Sequence, residues 1–151
     1  MDKATPIRYG GAFRRLLANI IDSLVVSIIQ FIAGLAIGFM LIFLSPNLPE
    51  NNPIKIVGQL VAALIYFVVT VGYPVYFIGT RGQTPGKMAM GIKIVGIDSG
   101  QHPSFVNAFL REVIGKFLSG IFLGLGFLWI IWDEKKQGWH DKIARTIVIK
   151  V

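Results

Sequence analysis

Asp22 is the only ionisable residue between Leu16 and Leu44, a run of 29 residues that is otherwise apolar or uncharged. A carboxylate at the centre of a bilayer helix costs about 2.5–3.5 kcal/mol on insertion scales, so this one needs a partner or a task. Arg15 precedes it by seven residues, about 700° of helical rotation, which places both side chains on nearly the same face two turns apart. One chemistry for such a carboxylate, paired with Arg15 or with Arg111, is to bind a cation or proton or to poise a conformational switch. The alternative is an ion pair that only fixes helix packing near one membrane boundary. Asn19, Ser23, Ser27, Gln30, Gly34 and Gly38 extend a polar or small face along the same helix, a face that does not belong in lipid. A second apolar segment answers it with Gln59, Ala63, Tyr66, Thr70 and Tyr73 at steps of four and three. The two stripes are expected to form a hydrogen-bonded seam, with Gly34 and Gly38 letting the backbones approach.

Other chemistries are excluded by type or spacing. Gly82-Gln-Thr-Pro-Gly86-Lys87 has three residues between its glycines where a phosphate loop has four, and Met88 stands where a Ser or Thr should hold magnesium. Pro85-Gly86 reads as a turn. With two histidines and no cysteine, no metal site of familiar type is expected. No nucleophile, base and orienting group can be read together, so no enzyme activity and no cofactor are expected. The net charge of +7 is explained by membrane orientation and anionic lipid at the cytoplasmic face, not by nucleic acid.

The elements that must position these residues follow from composition. Of 151 residues, 54% are hydrophobic and 15% charged, with mean hydropathy +0.65, against roughly 25% charged in soluble domains. Lipid must cover part of such a surface. Leu16–Leu44 is long enough to span a bilayer, as is the charge-free run Ile56–Ile78, with Pro74 as a kink or stop near its end. The first run is about twice the length of a signal-peptide core, so it is expected to be an uncleaved anchor. Ser45–Lys55, with three prolines and three asparagines, folds the two spans into an antiparallel hairpin.

Basic residues set the orientation. Lys3, Arg8, Arg14 and Arg15 place the N-terminus inside, and Lys55 alone marks the connector as outside. Arg81, Lys87, Lys93 and Arg111 return to the cytoplasm, and the tail with Lys135, Lys136, Lys142, Arg145 and Lys150 also belongs there. A third full span would put the tail outside. The apolar segment 105–132 is therefore expected to be an interfacial amphipathic helix, its polar face formed by Asn107, Arg111, Glu112, Gly115 and Lys116, followed by a shallow apolar element. A tilted span over 112–132 is the competing reading. Gly91–Asp98 and Ala144–Val151 are rich in β-branched residues and are expected to pair as a small cytoplasmic sheet. The fold class is thus an all-α-dominated integral membrane protein, one domain over 1–151, with a small β element.

Arg15-Leu-Leu-Ala-Asn-Ile-Ile-Asp22, Gly82-Gln-Thr-Pro-Gly-Lys87 and Gly138-Trp-His-Asp141-Lys-Ile-Ala-Arg-Thr146 together resemble the RDD family of bacterial membrane proteins over nearly the whole chain. The resemblance places the family's arginine and two aspartates on Arg15, Asp22 and Asp141. It implies a bacterial cytoplasmic membrane and a largely uncharacterised function, with transport proposed and cation/proton exchange suggested for some members. Arg145 stands where members often have glycine, a departure expected to matter little. Asp141, otherwise a polar group in a charged tail, is then expected to reach Arg15 or Arg14. Two functions remain: a cation- or proton-linked transporter, homo-oligomeric because so few spans enclose little, or a non-transporting accessory, regulatory or receptor protein with a partner membrane protein and structural charges.

Overall fold

In the computed structural model, which describes residues 7–44, 46–49, 51–121 and 123–151, both apolar runs lie in helices longer than the runs themselves. Lys3, Ser45, Glu50 and Phe122 fall outside the described residues. Helix α1 (Ala12–Leu44) has 33 residues and already contains Arg15. Helix α2 (Pro53–Arg81) has 29 and starts on a proline, whose missing N–H would have no partner in a first turn anyway. Asn52 caps it, its side-chain oxygen accepting from Ile54 N at 3.0 Å. Each helix exceeds about 40 Å, more than the hydrocarbon core requires. Pro74 does not stop α2, which runs on to Arg81, but the boundary between two packed units falls beside it. One unit is Ser23–Tyr73; the other joins the chain up to Asp22 with Pro74–Val151.

Within the first of these units the seam forms in part. Gln30 Nε2 donates to Thr70 Oγ1 at 2.8 Å and to the Tyr66 carbonyl at 3.3 Å, and the Tyr66 hydroxyl donates back to the Gln30 carbonyl at 3.1 Å. Gly34 makes a close approach: an added Cβ would lie 2.9 Å from the Tyr66 hydroxyl. Gly38 has nothing within 4 Å of that position, and the second tight contact is Gly58 on Leu41. Gln59 is exposed. The seam thus holds a polar knot at Gln30, Tyr66 and Thr70, with tyrosine and leucine side chains filling the clefts at Gly34 and Gly58. The outward side chains are large and apolar, Phe31, Phe39 and Phe43 among them, as lipid contact demands.

The second unit is built on a two-stranded sheet. Strands β1 (Ile92–Gly96) and β2 (Thr146–Lys150) pair antiparallel with Ile94 opposite Val148. The segment before α1 lies along β2, with Gly10 N bonded to Val148 O and Lys150 N to Arg8 O, both at 2.8 Å. Ile92, Ile94 and Val148 form a core with Ala18, Ile78 and Ala108. Between α2 and β1 a five-residue helix α3 (Pro85–Ala89) replaces the expected simple turn, with Thr84 as its N-cap and Pro85 opening it.

The segment after β1 is not a straight rod. It comprises α4 (Phe105–Phe109), a π-helical turn over Leu110–Gly115, α5 (Lys116–Ile121), α6 (Leu125–Leu128) and a 3₁₀ turn over Trp129–Ile131. The parts 105–121 and 125–131 are bent by 109°, so no straight helix covers 112–132. Its amphipathic character is real but inverted relative to a polar face resting in headgroups. Arg111, Glu112 and Gly115 are turned into the protein, while Val106, Phe109 and Phe117 are exposed. Helix α7 (Trp139–Ile143) then leads into β2 through Arg145, whose φ of 50° is left-handed. Glycine adopts that conformation without the roughly 1–2 kcal/mol an L side chain incurs, a physical reason for the glycine the family resemblance puts at this position.

Candidate functional site

Asp141 is completely buried in the first turn of α7, and every acceptor position of its carboxylate is used. Oδ1 accepts from Arg111 Nε at 3.0 Å and Nη2 at 2.8 Å. Oδ2 accepts from Arg15 Nη1 at 2.5 Å and from Gly138 N at 3.0 Å. A carboxylate has about four lone-pair sites, and all four are taken. The last bond caps α7. The remaining reach of Arg15 goes to backbone: Nε to the Gly10 carbonyl at 2.9 Å and Nη2 to the Lys136 carbonyl at 2.5 Å. Burial opposes ionisation of Asp141, but Arg111, His140 and Arg15 outweigh it and hold the carboxyl well below the usual range.

Asp22 has a different set of partners from the expected Arg15 or Arg111. Its Oδ1 accepts from Gly86 N at 2.8 Å, its Oδ2 from Thr84 Oγ1 at 2.5 Å, and Lys87 Nζ stands 3.5 Å away. Helix α3 thus presents a hydroxyl, an amide and an ammonium to one carboxylate. Gly86 is required by the closeness of the approach, since a Cβ there would lie 2.8 Å from the Asp22 carboxyl carbon and run into the Ala18 carbonyl. Burial pushes the Lys87 ammonium down to about 8, against the opposing pull of Glu112.

A third carboxylate joins the cluster. Glu112 Oε1 accepts from Arg111 Nη1 at 2.8 Å, and its Oε2 faces the Lys116 ammonium as an ion pair. The wider π turn lets consecutive residues 111 and 112 both point inward, the kind of irregularity found at functional positions. Gly115 lets this turn meet α7, for a Cβ there would sit 2.8 Å from His140 Cα. Burial lowers His140 to about 4, so the imidazole is neutral at physiological pH. The unfolded chain binds a proton at His140 below about 6.5 and the folded one only below about 4, so stability falls as pH drops through that window. Unfolding titrations of purified protein should show a loss of roughly 3 kcal/mol between those limits, and His140→Gln should flatten the slope.

Arg15 and Asp141 therefore meet, and Asp22 stands in a separate clasp within the same unit. Asn19 is exposed on α1, outside the polar knot of the other unit. Arg111, Glu112, Thr84, Gly86 and Lys87 are the residues sequence reasoning underused. Their signal was present as charges on the face expected to rest in the headgroups and as a rejected phosphate loop. Arg111 also decides what a charge exchange between Arg15 and Asp141 would do. Exchanging the charges of Arg15 and Asp141 should restore a simple pair, but arginine at 141 would face Arg111, whose two bonds to Oδ1 it replaces with repulsion. The double exchange should remain as unstable as the worse single reversal, within about 1 kcal/mol, in side-by-side denaturation; recovery to parental stability would show that Arg111 is not coupled to the pair.

Two apolar helices of membrane-crossing length mark a helical integral membrane protein, and one of its units carries a buried charge cluster. No group of three or more metal-ligating side chains occurs among the described residues. The chain belongs to the RDD family, whose model matches residues 9–145. It is 32% identical over 103 residues to a proline-rich antigen homolog of Mycobacterium tuberculosis, covering 64% of this chain and 41% of that protein. With the uncharacterized membrane protein YteJ of Bacillus subtilis the identity is 30% over 93 residues, 62% of this chain and 51% of the relative. An uncharacterized protein of Haemophilus influenzae is 27% identical over 151 residues, 98% of this chain and 82% of the relative. The chain thus spans about half or less of the mycobacterial and Bacillus proteins. No solved structure matches it.

Proposed function

We propose that this is a non-enzymatic, multi-pass protein of the bacterial cytoplasmic membrane that acts as an accessory, regulatory or receptor component, with Arg15, Asp22 and Asp141 as structural charges. The observation that carries this reading is the carboxylate of Asp141, with four hydrogen bonds and no accessible surface. A transport carboxylate must exchange partners with its cargo, and this one would have to break two guanidinium contacts first, at the cost of leaving buried charge unpaired. The basic residues support an N-terminus inside. Pairing of β2 with β1 and with the segment before α1 supports a tail on the same side. The many exposed apolar side chains of α1 and α2 support lipid contact and leave room for a second copy or a partner membrane protein, with anionic lipid at the inner face.

Lys87 favours a second reading, cation- or proton-linked transport. Its ammonium is held at about 8 beside Asp22, close enough to cellular pH to change charge. Proteoliposomes carrying sodium, potassium and proton gradients separate the two. The structural reading expects flux no greater than in protein-free vesicles for the parent, and lowered stability without a flux phenotype for Asp22→Asn. Flux in the parent that Asp22→Asn abolishes, with the fold retained, would overturn it in favour of transport.

A further inference from the structure

The cations of the charge cluster do not point only at their carboxylates. A cavity of about 140 Å³ lies in the unit that contains the sheet, lined by Arg15, Lys87, Arg111, Lys116, His140 and Asn19 together with apolar side chains. No carboxylate among the described residues lines it. Arg15, Lys87 and Arg111 are each at most 6% exposed, so these positive charges are held away from bulk water. Their ion-pair partners Asp22, Glu112 and Asp141 are not among the lining residues. With His140 neutral, Arg15, Lys87, Arg111 and the partly exposed Lys116 answer to three carboxylates, one positive charge more, and the three buried cations make any unmatched charge there expensive.

Donor capacity points the same way. Each guanidinium has five N–H groups, and three from each are used: by Gly10, Asp141 and Lys136 for Arg15, and by Asp141 and Glu112 for Arg111. The Lys87 ammonium has only long contacts among the described residues, 3.3 Å to Thr84 Oγ1 and 3.5 Å to Asp22 Oδ2. Arg15, Arg111 and Lys87 all line the one cavity and all keep unused donor capacity, which suits an anion with several acceptor oxygens, and a volume of about 140 Å³ is large enough for a tetrahedral group. Leu16 and Asn19 line the cavity and are themselves exposed on α1, so part of its wall is reachable from outside.

We propose that this cavity is a binding site for a phosphate-type oxyanion, held by Lys87 and Lys116 with the free N–H groups of Arg15 and Arg111. The source is either the phosphodiester of an anionic phospholipid or free phosphate. Basic pockets between membrane helices take lipid headgroups in this way, and a bound monoanion cancels the excess charge. The site does not depend on whether the protein moves ions.

The full chain, purified in mild detergent, tests it in two arms. Native mass spectrometry after exchange into mixed micelles containing phosphatidylglycerol or phosphatidylcholine reads retained lipid. Thermal melting of delipidated protein with inorganic phosphate against chloride at equal ionic strength reads the free anion. The expected result is one phosphatidylglycerol per chain, retained over phosphatidylcholine, with affinity about tenfold weaker in Lys116→Gln and in Lys87→Gln, and unchanged in the exposed control Lys135→Gln. A site-dependent phosphate shift without lipid retention supports the site with free phosphate as its occupant. Neither ligand binding the parent, or binding equally strong in a folded Lys116→Gln, overturns the proposal. If Lys87→Gln does not fold, Lys116→Gln and the parent titrations decide.

Discussion

Asp141→Asn should destabilise the folded chain by about 3–5 kcal/mol, the loss typical when one partner of a buried charge pair is removed. The substitution keeps the shape of the side chain and changes only charge and one acceptor. The amide nitrogen that replaces an oxygen must face either Arg15 Nη1 or the Arg111 fork, donor against donor, and two guanidiniums with almost no exposure lose their common anion. Reversible denaturation in mixed micelles, with intrinsic tryptophan emission as the signal, measures it. Arg15→Ala should be milder than Asp141→Asn, because Asp141 then keeps Arg111 and Gly138 N. An asparagine variant within about 1 kcal/mol of the parent would mean that the carboxylate does not organise the cluster.

Gly86→Ala should have the next largest effect, a loss of about 3 kcal/mol from a single methyl group. The obstacle is backbone and a bonded carboxylate, not the tip of a flexible side chain: the Ala18 carbonyl on one side and Asp22 on the other. Relief requires moving α3 off α1, which breaks the 2.8 Å bond from Gly86 N to Asp22 and takes Lys87 with it. Gly38→Ala is the matched comparison. It has open space around its Cβ position in the middle of a helix, so it should be neutral or stabilising by up to about 1 kcal/mol. Equal effects from the two substitutions would contradict the tight contact at Gly86.

Which parts of this molecule could be read from its sequence follows from which forces act locally. The two long helices were legible because lipid imposes a composition on every residue of a span. The strands were legible because β-branched runs at 92–96 and 146–150 have few other uses. The Asp22 clasp was not, since Thr84, Gly86 and Lys87 lie more than sixty residues away and no periodicity links them to α1. Pro85-Gly86 could be recognised as backbone punctuation, but not as the seat of a helix whose first turn receives a distant carboxylate. The inward-facing Arg111 and Glu112 were hidden for a different reason. The mix of apolar residues with Asn107, Arg111, Glu112 and Lys116 fits an ordinary α-helix with its charged face in the headgroups, and nothing local announces that a π turn rotates Arg111 and Glu112 into the protein. The polar knot was half legible: Gln30, Tyr66 and Thr70 came together, while Gly38 and Gln59 shared their spacing without a contact to show for it.

The bond between Arg15 and Asp141 joins residues 126 positions apart. During synthesis the first guanidinium is made long before its carboxylate exists. Both long helices can enter the bilayer while Arg15 and Arg111 still lack their shared anion. The cluster therefore closes only when α7 follows: until Asp141 is made, Arg15 and Arg111 have no common anion to bury against.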